Sequence, residues 1–274
     1  MLLELAIGDA YGAGFEYAPI NHNDLSRYVQ HPKHGIKPGC YTDDAQMSLA
    51  IAEIIVEEIE WTPINLANRF VDVFKRDPHE GYAARFYKFL QHVKDGQQFL
   101  DEIIPTSDKS GAAMRAAPIG IYPTIEEVKE KATLQAKITH DTPDGIHAAI
   151  AASLMAHYFI YDLGDRQHLG EFLVQHVPGD WNTPWQGKVK AKGWMSVRAA
   201  ITSIHEHDNL HDMLKSCIQY SGDVDTVATI ALGAASCSKA IAQNLPEHLV
   251  ETLENGTYGR DYLISLDTRL MGKI

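Results

Sequence analysis

The chain has 274 residues, of which 45% are hydrophobic, and its formal net charge at pH 7 is −12. That length suffices to bury one sizeable core, or at most two modest ones. The 36 acidic residues outnumber the 24 basic ones, which excludes a protein that holds nucleic acid or anionic lipid through bulk electrostatics. An acidic protein does accommodate one clustered carboxylate site, provided that divalent cations neutralise it.

Helical periodicity dominates the chain. Between residues 43 and 60 the apolar side chains recur on one broad face, as they do on an amphipathic helix. Runs of alternating β-branched residues bounded by turn signals are nearly absent, so no sheet-based fold is expected. The other predicted helices, in chain order, cover residues 125–137, 143–161, 189–205, 210–220, 225–243 and 247–253.

Three polar segments break this helical pattern, at residues 21–39, 101–111 and 177–187. None is long or biased enough to be a linker, so we expect one domain over residues 1–274. The cysteines are odd in number and isolated, which fits a reducing compartment. Neither a signal peptide nor a run of about 18 apolar residues is present. We therefore expect a cytoplasmic monomer.

The first segment with chemical meaning is the acidic start of the predicted helix at residue 43. Thr42 followed by Asp43 and Asp44 is typical of a helix N-cap with acidic residues in the first turn. The positive end of the helix dipole stabilises carboxylates there. Acidic helix starts are common, however, and one alone does not indicate a metal site.

A second acidic segment echoes the first about 180 positions later. Asp223 and Asp225 lie two residues apart after a glycine, and Thr226 follows directly. Such spacing lets side chains converge from a turn and a helix start, as oxygen-ligand sites require. The two segments together offer four carboxylates and two hydroxyls, which suit a pair of Mg²⁺ or Mn²⁺ ions roughly 3.5–4 Å apart. Soft metals are disfavoured, because no cysteine or paired histidine accompanies the carboxylates.

Five segments in a fixed order carry a family resemblance. They are residues 6–12 (AIGDAYG) with Glu16, 41–44 (YTDD), 110–120 (SGAAMRAAPIG), 139–140 (TH) and 221–226 (SGDVDT). In this set the chain resembles the ADP-ribosylglycohydrolase family, which includes the enzyme that reactivates ADP-ribosylated dinitrogenase reductase. The resemblance runs from residue 1 to about residue 250. It implies a compact all-α fold, a single-domain orthogonal multi-helix bundle, with a binuclear Mg²⁺ or Mn²⁺ centre.

The resemblance also assigns roles to individual residues. Glu16 matches a glutamate near the metals that can act as a gate over the substrate ribose, and it joins Asp43 and Asp44 as an expected catalytic residue. His140 matches a histidine that lines the ADP-ribose cleft. The matched metal ligands are Thr42, Asp43, Asp44, Asp223, Asp225 and Thr226. The matched phosphate-binding stretch is Ser110, Gly111, Ala112, Ala113 and Met114, whose small side chains leave backbone N–H groups accessible to an anion.

The expected reaction is hydrolysis of the N- or O-glycosidic bond between ADP-ribose and a modified acceptor, on a protein or a small molecule. The two ions would assist it, with a carboxylate of the cluster orienting or deprotonating water, and no further cofactor is implied. We favour arginine as the acceptor, because the compact layout resembles the arginine-directed branch and the acidic surface favours cationic targets. Serine is the second choice.

Two departures from the family pattern bear on the substrate. This chain has Lys109-Ser110-Gly111 where the family often has Gly-Asn-Gly, and residues 221–226 read SGDVDT where Gly-Gly-Asp-Thr-Asp-Thr is common. Neither departure removes a ligand.

Two other functions stay open. One is a metal-dependent nucleotide phosphohydrolase, and the other is a non-catalytic structural protein, since a lens crystallin shares this fold.

The remaining candidates have structural explanations of equal or greater weight. Arg115 either contacts phosphate or forms a buried structural ion pair, which we favour. The tryptophans at 181, 185 and 194 either form a wall for adenine or pack their loop. Asp77 is a candidate acid near the cleft. The pairs His140-Asp141 and His211-Asp212 resemble those of all-α metal phosphohydrolases, but that fold leaves both aspartate clusters unexplained.

Overall fold

The computed structural model describes residues 1–18 and 24–274, so the first part of the loop predicted at 21–39 lies outside the described residues. Helix makes up 61% of them, and β-structure in these ranges is limited to isolated bridges, which confirms the all-α prediction. Two 3₁₀ turns cover Ala117–Ile121 and Arg166–His168. The α-helices of the described chain are α1 (Leu2–Ala13), α2 (Asp43–Val56), α3 (Pro63–Arg76), α4 (Ala84–His92), α5 (Gly96–Glu102), α6 (Gly111–Met114), α7 (Ile125–His140), α8 (Pro143–Ile160), α9 (Leu169–His176), α10 (Gly193–Glu206), α11 (Leu210–Gln219), α12 (Val224–Ala235), α13 (Glu247–Glu251) and α14 (Arg260–Met271).

Side-chain caps fix where several helices begin. Thr42, Thr62, Thr124 and Thr142 each accept a hydrogen bond from a backbone N–H in the first turn of the helix that follows. These bonds satisfy donors that have no partner inside the helix. Proline at the first position of α3 and α8 adds a φ angle already suited to a helix.

Three predicted helix boundaries are wrong by four residues or more. The helix predicted to end at residue 60 ends at Val56, because Glu58 adopts a φ of +56°, outside the helical region. The helix predicted from residue 189 begins at Gly193, because the Val189 N–H donates to Ser221 O at 3.1 Å and this pairing keeps the backbone extended. The helix predicted to end at residue 243 ends at Ala235, where Ser236 Oγ donates to Gly233 O and Ser238 Oγ accepts from Ala240 N. Serine side chains that bond to nearby backbone in this way compete with helix propagation.

Helices α1, α8 and α12 form the interior of the fold. Every residue of α12 is buried, as are most of α1 and α8, and helices that are apolar on all sides belong inside a protein. Gly8 and Gly12 let α1 approach the backbone of α12, since a methyl group on Gly8 would lie 2.7 Å from Ala228 O. Within residues 1–18 and 24–274, no helix combines the length and apolarity needed to cross a bilayer. The close packing of α1 against α12 brings the end of α1 to the start of α12.

Candidate metal centre and cleft

A cleft of about 630 Å³ opens where the first turns of α2, α6 and α12 meet. Both acidic segments, the loop before α6 and the end of α7 face it. The sequence-predicted residues that line it are Glu16, Asp43, Asp44, Ser110, Gly111, Met114, His140, Asp223, Asp225 and Thr226. The two segments that lie about 180 positions apart in sequence thus share one site.

The first acidic segment is anchored by Asp9, a buried carboxylate of α1. Asp9 accepts hydrogen bonds from the Thr42 hydroxyl at 2.7 Å, from the Thr42 N–H at 2.9 Å and from the Ala45 N–H at 2.9 Å. Burial raises the pKa of Asp9 to about 6, although these three bonds oppose the shift. Because the only hydroxyl proton of Thr42 goes to Asp9, the oxygen of Thr42 can offer just its lone pairs to anything else. Asp9 therefore fixes the orientation of the cap.

Sequence reasoning assigned no role to Asp9. The available signal was an acidic residue inside an otherwise apolar helical stretch, since a charged side chain is buried only where partners satisfy it. The partners come from a turn 33 positions away, and nothing in the local pattern identifies them.

The second acidic segment is held by its own backbone and by the extended segment 189–192. The Asp223 N–H donates to Val189 O at 3.2 Å, and Gly222 has φ +93°, a conformation that glycine adopts without strain. Inside the segment, the Thr226 hydroxyl donates to Asp223 Oδ1 at 3.3 Å, and the Thr226 N–H donates to Asp225 Oδ1 at 2.9 Å. Both aspartates therefore start α12 in fixed positions.

Asp44, Asp223 and Asp225 are buried and Asp43 is half-buried beside them, and this burial shifts the pKa values of their carboxyl groups. Burial raises the pKa of Asp223. Burial and then neighbouring carboxylates raise the pKa values of Asp43, Asp44 and Asp225 well above the usual range. Like charges that share a desolvated site disfavour one another's ionisation. The cluster therefore needs either protons or cations to be stable.

The oxygen atoms of this cluster fit divalent cations. Asp44 Oδ2 and Asp223 Oδ2 are buried and lack a hydrogen-bond partner among the described residues. One carboxylate oxygen each from Glu16, Asp223 and Asp225 lies within 4.8 Å of the other two. Buried polar atoms of a folded protein nearly always have partners, so two orphaned carboxylate oxygens in one cleft indicate a ligand. Carboxylate and hydroxyl donors suit hard cations such as Mg²⁺ or Mn²⁺.

Glu16 lies between the acidic segments and a histidine of the following loop. Its Oε2 is 2.7 Å from His31 Nε2. Burial, and then Asp223 and Asp9, raise the pKa of Glu16 to about 8, whereas burial lowers that of His31 to about 4. His31 Nδ1 accepts hydrogen bonds from the Lys33 and His34 N–H groups. The neutral imidazole therefore holds its proton on Nε2 and donates it to Glu16 Oε2. The adjoining Tyr17 N–H donates to Gly222 O at 2.9 Å, so side-chain rotation is the movement left to Glu16.

The predicted phosphate-binding stretch is only partly exposed to the cleft. Ala112 and Ala113 are buried away from it. The N–H groups of Ala113 and Met114 both donate to Ser110 O, so they are not available to an anion. The N–H groups of Ser110, Gly111 and Ala112 donate to no backbone acceptor in the described chain, and of these residues Ser110 and Gly111 line the cleft. His140 lies against Gly111, where a methyl group would be 3.0 Å from His140 Cε1.

The other sequence candidates lie elsewhere or act structurally. Arg115 borders the cleft but is 1% exposed, and it donates to Gln135 and Thr139. No carboxylate pairs with it in the described chain, so the favoured ion pair is wrong. Asp77 does not line the cleft, and its exposed carboxylate pairs with His79. The three tryptophans also lie outside the cleft, where Trp181 is buried and Trp185 meets Trp194 edge to face at 5.7 Å.

An aromatic surface that the sequence analysis did not single out forms part of the cleft wall. Tyr82, Phe86 and Phe89 line it together with Ile103 and Ile104. Phe86 and Phe89 stack at 5.9 Å between ring centroids, with an interplanar angle of 17°. Their spacing within α4 is ordinary amphipathic spacing, which does not distinguish a ligand surface from a core face. The cleft therefore combines an acidic cluster with an apolar, aromatic lining.

Comparison with known proteins identifies relatives of the whole chain. The family model described as ADP-ribosylglycohydrolase matches residues 1–274. ADP-ribosylhydrolase ARH3 of Xenopus tropicalis is 26% identical over 85% of this chain and 84% of that protein. The match to ARH3 of Bos taurus, 29% identical, covers 62% of this chain and only 52% of that protein.

Two further matches extend this comparison. ADP-ribosylarginine hydrolase Tri1 of Pseudomonas putida is 20% identical over 90% of this chain and 71% of that protein. A solved structure described as an ADP-ribosylglycohydrolase-related protein complex superposes with a TM-score of 0.75, covers 99% of this chain and 95% of that chain, and shares 19% sequence identity. At that identity the structural match supports the fold alone.

Proposed function

The chain belongs to the ADP-ribosylglycohydrolase family and is an ADP-ribosyl hydrolase, and we propose that it uses a pair of divalent cations to release ADP-ribose from modified arginine. The observation that carries this proposal is the buried acidic cluster. Four aspartates and Glu16 face one cleft, and two of their oxygens have no partner among the described residues. Such a cluster is costly without cations, so its presence favours a metal centre.

The residues that would hold the cations are the six carried over from the family. Asp43, Asp44 and Asp225 contribute carboxylates that no salt bridge of the described chain neutralises. Asp223 adds its unpartnered Oδ2, and the hydroxyls of Thr42 and Thr226 complete the set. When bound, Mg²⁺ or Mn²⁺ supplies positive charge that polarises ribose hydroxyls and lowers the pKa of water.

The protein's own residues account for the proton transfer and the orientation. Asp43 is partly exposed to the cleft, whereas Asp44 is buried, so Asp43 is placed to accept a proton from the attacking water. The water oxygen forms a bond to the anomeric carbon while that carbon's bond to the acceptor nitrogen breaks, and the nitrogen takes up the equivalent of the proton that Asp43 accepted from the water. Glu16, which has an oxygen within 4.8 Å of oxygens of Asp223 and Asp225, is placed to orient the distal ribose.

Several features of the cleft suit the rest of ADP-ribose. Lys109 and His140 line it beside the N–H groups of Ser110 and Gly111, and these donors match the oxygens of a diphosphate. The aromatic surface formed by Tyr82, Phe86 and Phe89 offers apolar rings to a base. A volume of about 630 Å³ lies within the range typical of small-molecule sites.

Arginine is the proposed acceptor for two reasons. Tri1 of Pseudomonas putida, whose match covers 90% of this chain, is by name an ADP-ribosylarginine hydrolase. The net charge of −12 also favours encounter with cationic, arginine-bearing targets. Serine is the second candidate for the acceptor.

We further propose that residues 1–274 act as one domain, because one hydrophobic core runs from α1 to α14.

A defined substrate assay tests this function. The full chain with Mg²⁺ is incubated with ADP-ribosyl-arginine and ADP-ribosyl-serine peptides at equal concentration, and the products are identified by mass spectrometry. The expected result is free ADP-ribose from the arginine peptide with the wild type and none with Asp225→Ala. Release from the serine peptide alone would overturn the acceptor. Formation of AMP or inorganic phosphate without ADP-ribose would overturn the reaction itself.

A further inference from the structure

A network of buried hydrogen bonds adjoins the turn at Ser110–Met114 and links Arg115, Gln135, Thr139 and His140. Arg115, which is 1% exposed, sits with its guanidinium 4.5 Å from the centre of the Phe70 ring. Its Nε donates to Gln135 Oε1 at 2.6 Å, and its Nη2 donates to Gln135 O at 3.0 Å and to Thr139 Oγ1 at 2.9 Å. Thr139 Oγ1 in turn lies 2.7 Å from His140 Nδ1. The same contacts therefore connect a buried arginine to a histidine of the cleft.

The direction of each hydrogen bond in this set follows from what its members can donate. Arginine has donors and no acceptor, so Thr139 Oγ1 accepts from Arg115. The one proton of the Thr139 hydroxyl is then free to go to His140 Nδ1, its other hydrogen-bond partner in the described structure. Nδ1 accepts that proton only if it carries none of its own. The neutral imidazole must therefore hold its proton on Nε2.

The opposite tautomer leaves the network unsatisfied. If His140 Nδ1 carried the proton and donated it to Thr139, the Thr139 oxygen would accept two hydrogen bonds and its own proton would have no partner among the described contacts. Gln135 cannot reverse the order, because its Nε2 donates to Ala112 O at 2.9 Å and its Oε1 faces Arg115. Burial also keeps the ring neutral, since it lowers the pKa of His140 to about 3.

The other ring nitrogen of His140, Nε2, lies toward Gly111 and the cleft. A methyl group on Gly111 would lie 3.2 Å from His140 Nε2, so the absence of a side chain at Gly111 lets the imidazole reach the start of α6 and line the cleft. A protonated Nε2 is a donor and suits an acceptor oxygen, whereas the other tautomer would present a lone pair to that oxygen and repel it.

We propose that Arg115 and Thr139 are positioning residues that lock His140 in the tautomer protonated on Nε2, so that this N–H is presented to an acceptor oxygen of the bound substrate. That the oxygen belongs to the diphosphate of ADP-ribose rests on the function proposed above. Arg115 and Thr139 also line the cleft, but in this arrangement they act through His140, and their contribution is the tautomeric state of its ring.

The tautomer can be read directly, without substrate, in the full-length Mg²⁺-loaded protein. Long-range ¹H–¹⁵N correlation spectra of histidine-labelled protein distinguish the two tautomers, and His140→Gln assigns the resonances. We expect the Nε2–H pattern in the wild type and in Thr139→Ser, which keeps the hydroxyl. Thr139→Val removes it, and Thr139→Ala serves if the valine variant does not fold. We expect either variant to show a mixture of tautomers.

A kinetic readout then connects the tautomer to substrate binding. Thr139→Val is expected to raise KM about tenfold with little change in kcat, and Thr139→Ser to restore it. A wild-type spectrum with the proton on Nδ1, or identical spectra for Thr139→Val and Thr139→Ser, would overturn the proposal. If the spectra are as expected but no ADP-ribose conjugate is hydrolysed, the tautomer lock stands and the proposed function fails.

Discussion

Gly12 of α1 and Asp225 of α12 are in direct backbone contact: a methyl group on Gly12 would lie 2.4 Å from Asp225 Cα and 2.8 Å from its N. Real side chains do not approach so closely, so a larger residue at position 12 must move the first turn of α12. That turn carries two of the aspartates of the cluster. The glycine of the AIGDAYG segment therefore positions the second acidic segment, although it contributes no atom to it.

Gly12→Ala is accordingly expected to lower the Tm, to reduce the Tm gain on adding Mg²⁺ and to reduce hydrolysis at least tenfold. In an ordinary helix interior a Gly→Ala change stabilises the folded protein by about 1 kcal/mol. A loss of stability in Gly12→Ala would therefore indicate the steric contact with α12. Gly256→Ala is the matched control, because its added methyl meets nothing within 4 Å. Thermal melts with and without Mg²⁺ measure the effect. A Gly12→Ala protein with the wild-type Mg²⁺ response would contradict this account of the contact.

Asp225→Asn is expected to stabilise the metal-free protein while abolishing its response to Mg²⁺. Burial, and then Glu16 and Asp223, disfavour the charge of Asp225, so its removal relieves repulsion. A metal that binds only the folded state stabilises it by mass action, and that gain disappears with the ligand. Asp144→Asn is a matched control, since Asp144 is an exposed acidic residue in the first turn of α8.

Melts in EDTA and in Mg²⁺ measure both effects. For Asp144→Asn we expect a slight loss of stability, from the lost interaction with the helix dipole, and an unchanged Mg²⁺ gain. An Asp225→Asn protein that is less stable than wild type in EDTA would show that the aspartate is not repelled in the metal-free state.

Glu16→Ala is expected to reduce turnover about a hundredfold, a typical cost of losing a catalytic carboxylate, while leaving bound Mn²⁺ close to the wild-type stoichiometry. The test is sharp because Glu16 lies within 4.8 Å of carboxylate oxygens of Asp223 and Asp225 and so competes for the role of ligand. Glu102→Gln is the control, since Glu102 is a carboxylate that lines the same cleft outside the acidic cluster. Loss of an ion from Glu16→Ala in metal analysis would make Glu16 a ligand and not a gate.

The metal-free protein is expected to lose stability as the pH rises from 6.5 to 8.5. Burial raises the pKa of Glu16 to about 8 and that of Asp43 well above its usual range, so the folded state holds protons that the unfolded chain has released. The stability that such acids contribute is present below their unfolded pKa and is lost as the pH rises through the folded value. His31 and His140, with pKa values lowered to about 4 and about 3, act in the opposite sense only below about 6.5.

Denaturant titrations at several pH values in EDTA measure this slope, and repeating them with Mg²⁺ supplies the comparison. Bound cations replace the protons, so the slope should flatten with Mg²⁺. Equal slopes with and without Mg²⁺ would mean that the acidic cluster is not where the cations bind.

The parts of this structure that the sequence predicts are those with local causes. Thr42 caps α2 and Asp225 falls in the first turn of α12, because capping depends on residues within three positions of each other. Asp9 escapes prediction because its partners belong to a distant turn. The start of α10 at Gly193 escapes because Val189 exchanges a helical bond for one with Ser221. Tertiary contacts decide both, and local periodicity contains no trace of them.

The extended segment 189–192 limits where relatives of this protein can carry insertions or deletions. Val189 pairs with Gly222 at the acidic cluster and Lys192 pairs with Lys109 beside the turn at Ser110–Met114, so one short stretch borders both parts of the site. The side chain of Lys192 also contacts Asp108. Deleting or inserting a single residue between these pairings would shift the acidic cluster relative to that turn. Upstream, where Gly187 has open space around it, added residues would loop out into solvent. Length variation in relatives should therefore accumulate before residue 188 and stop there.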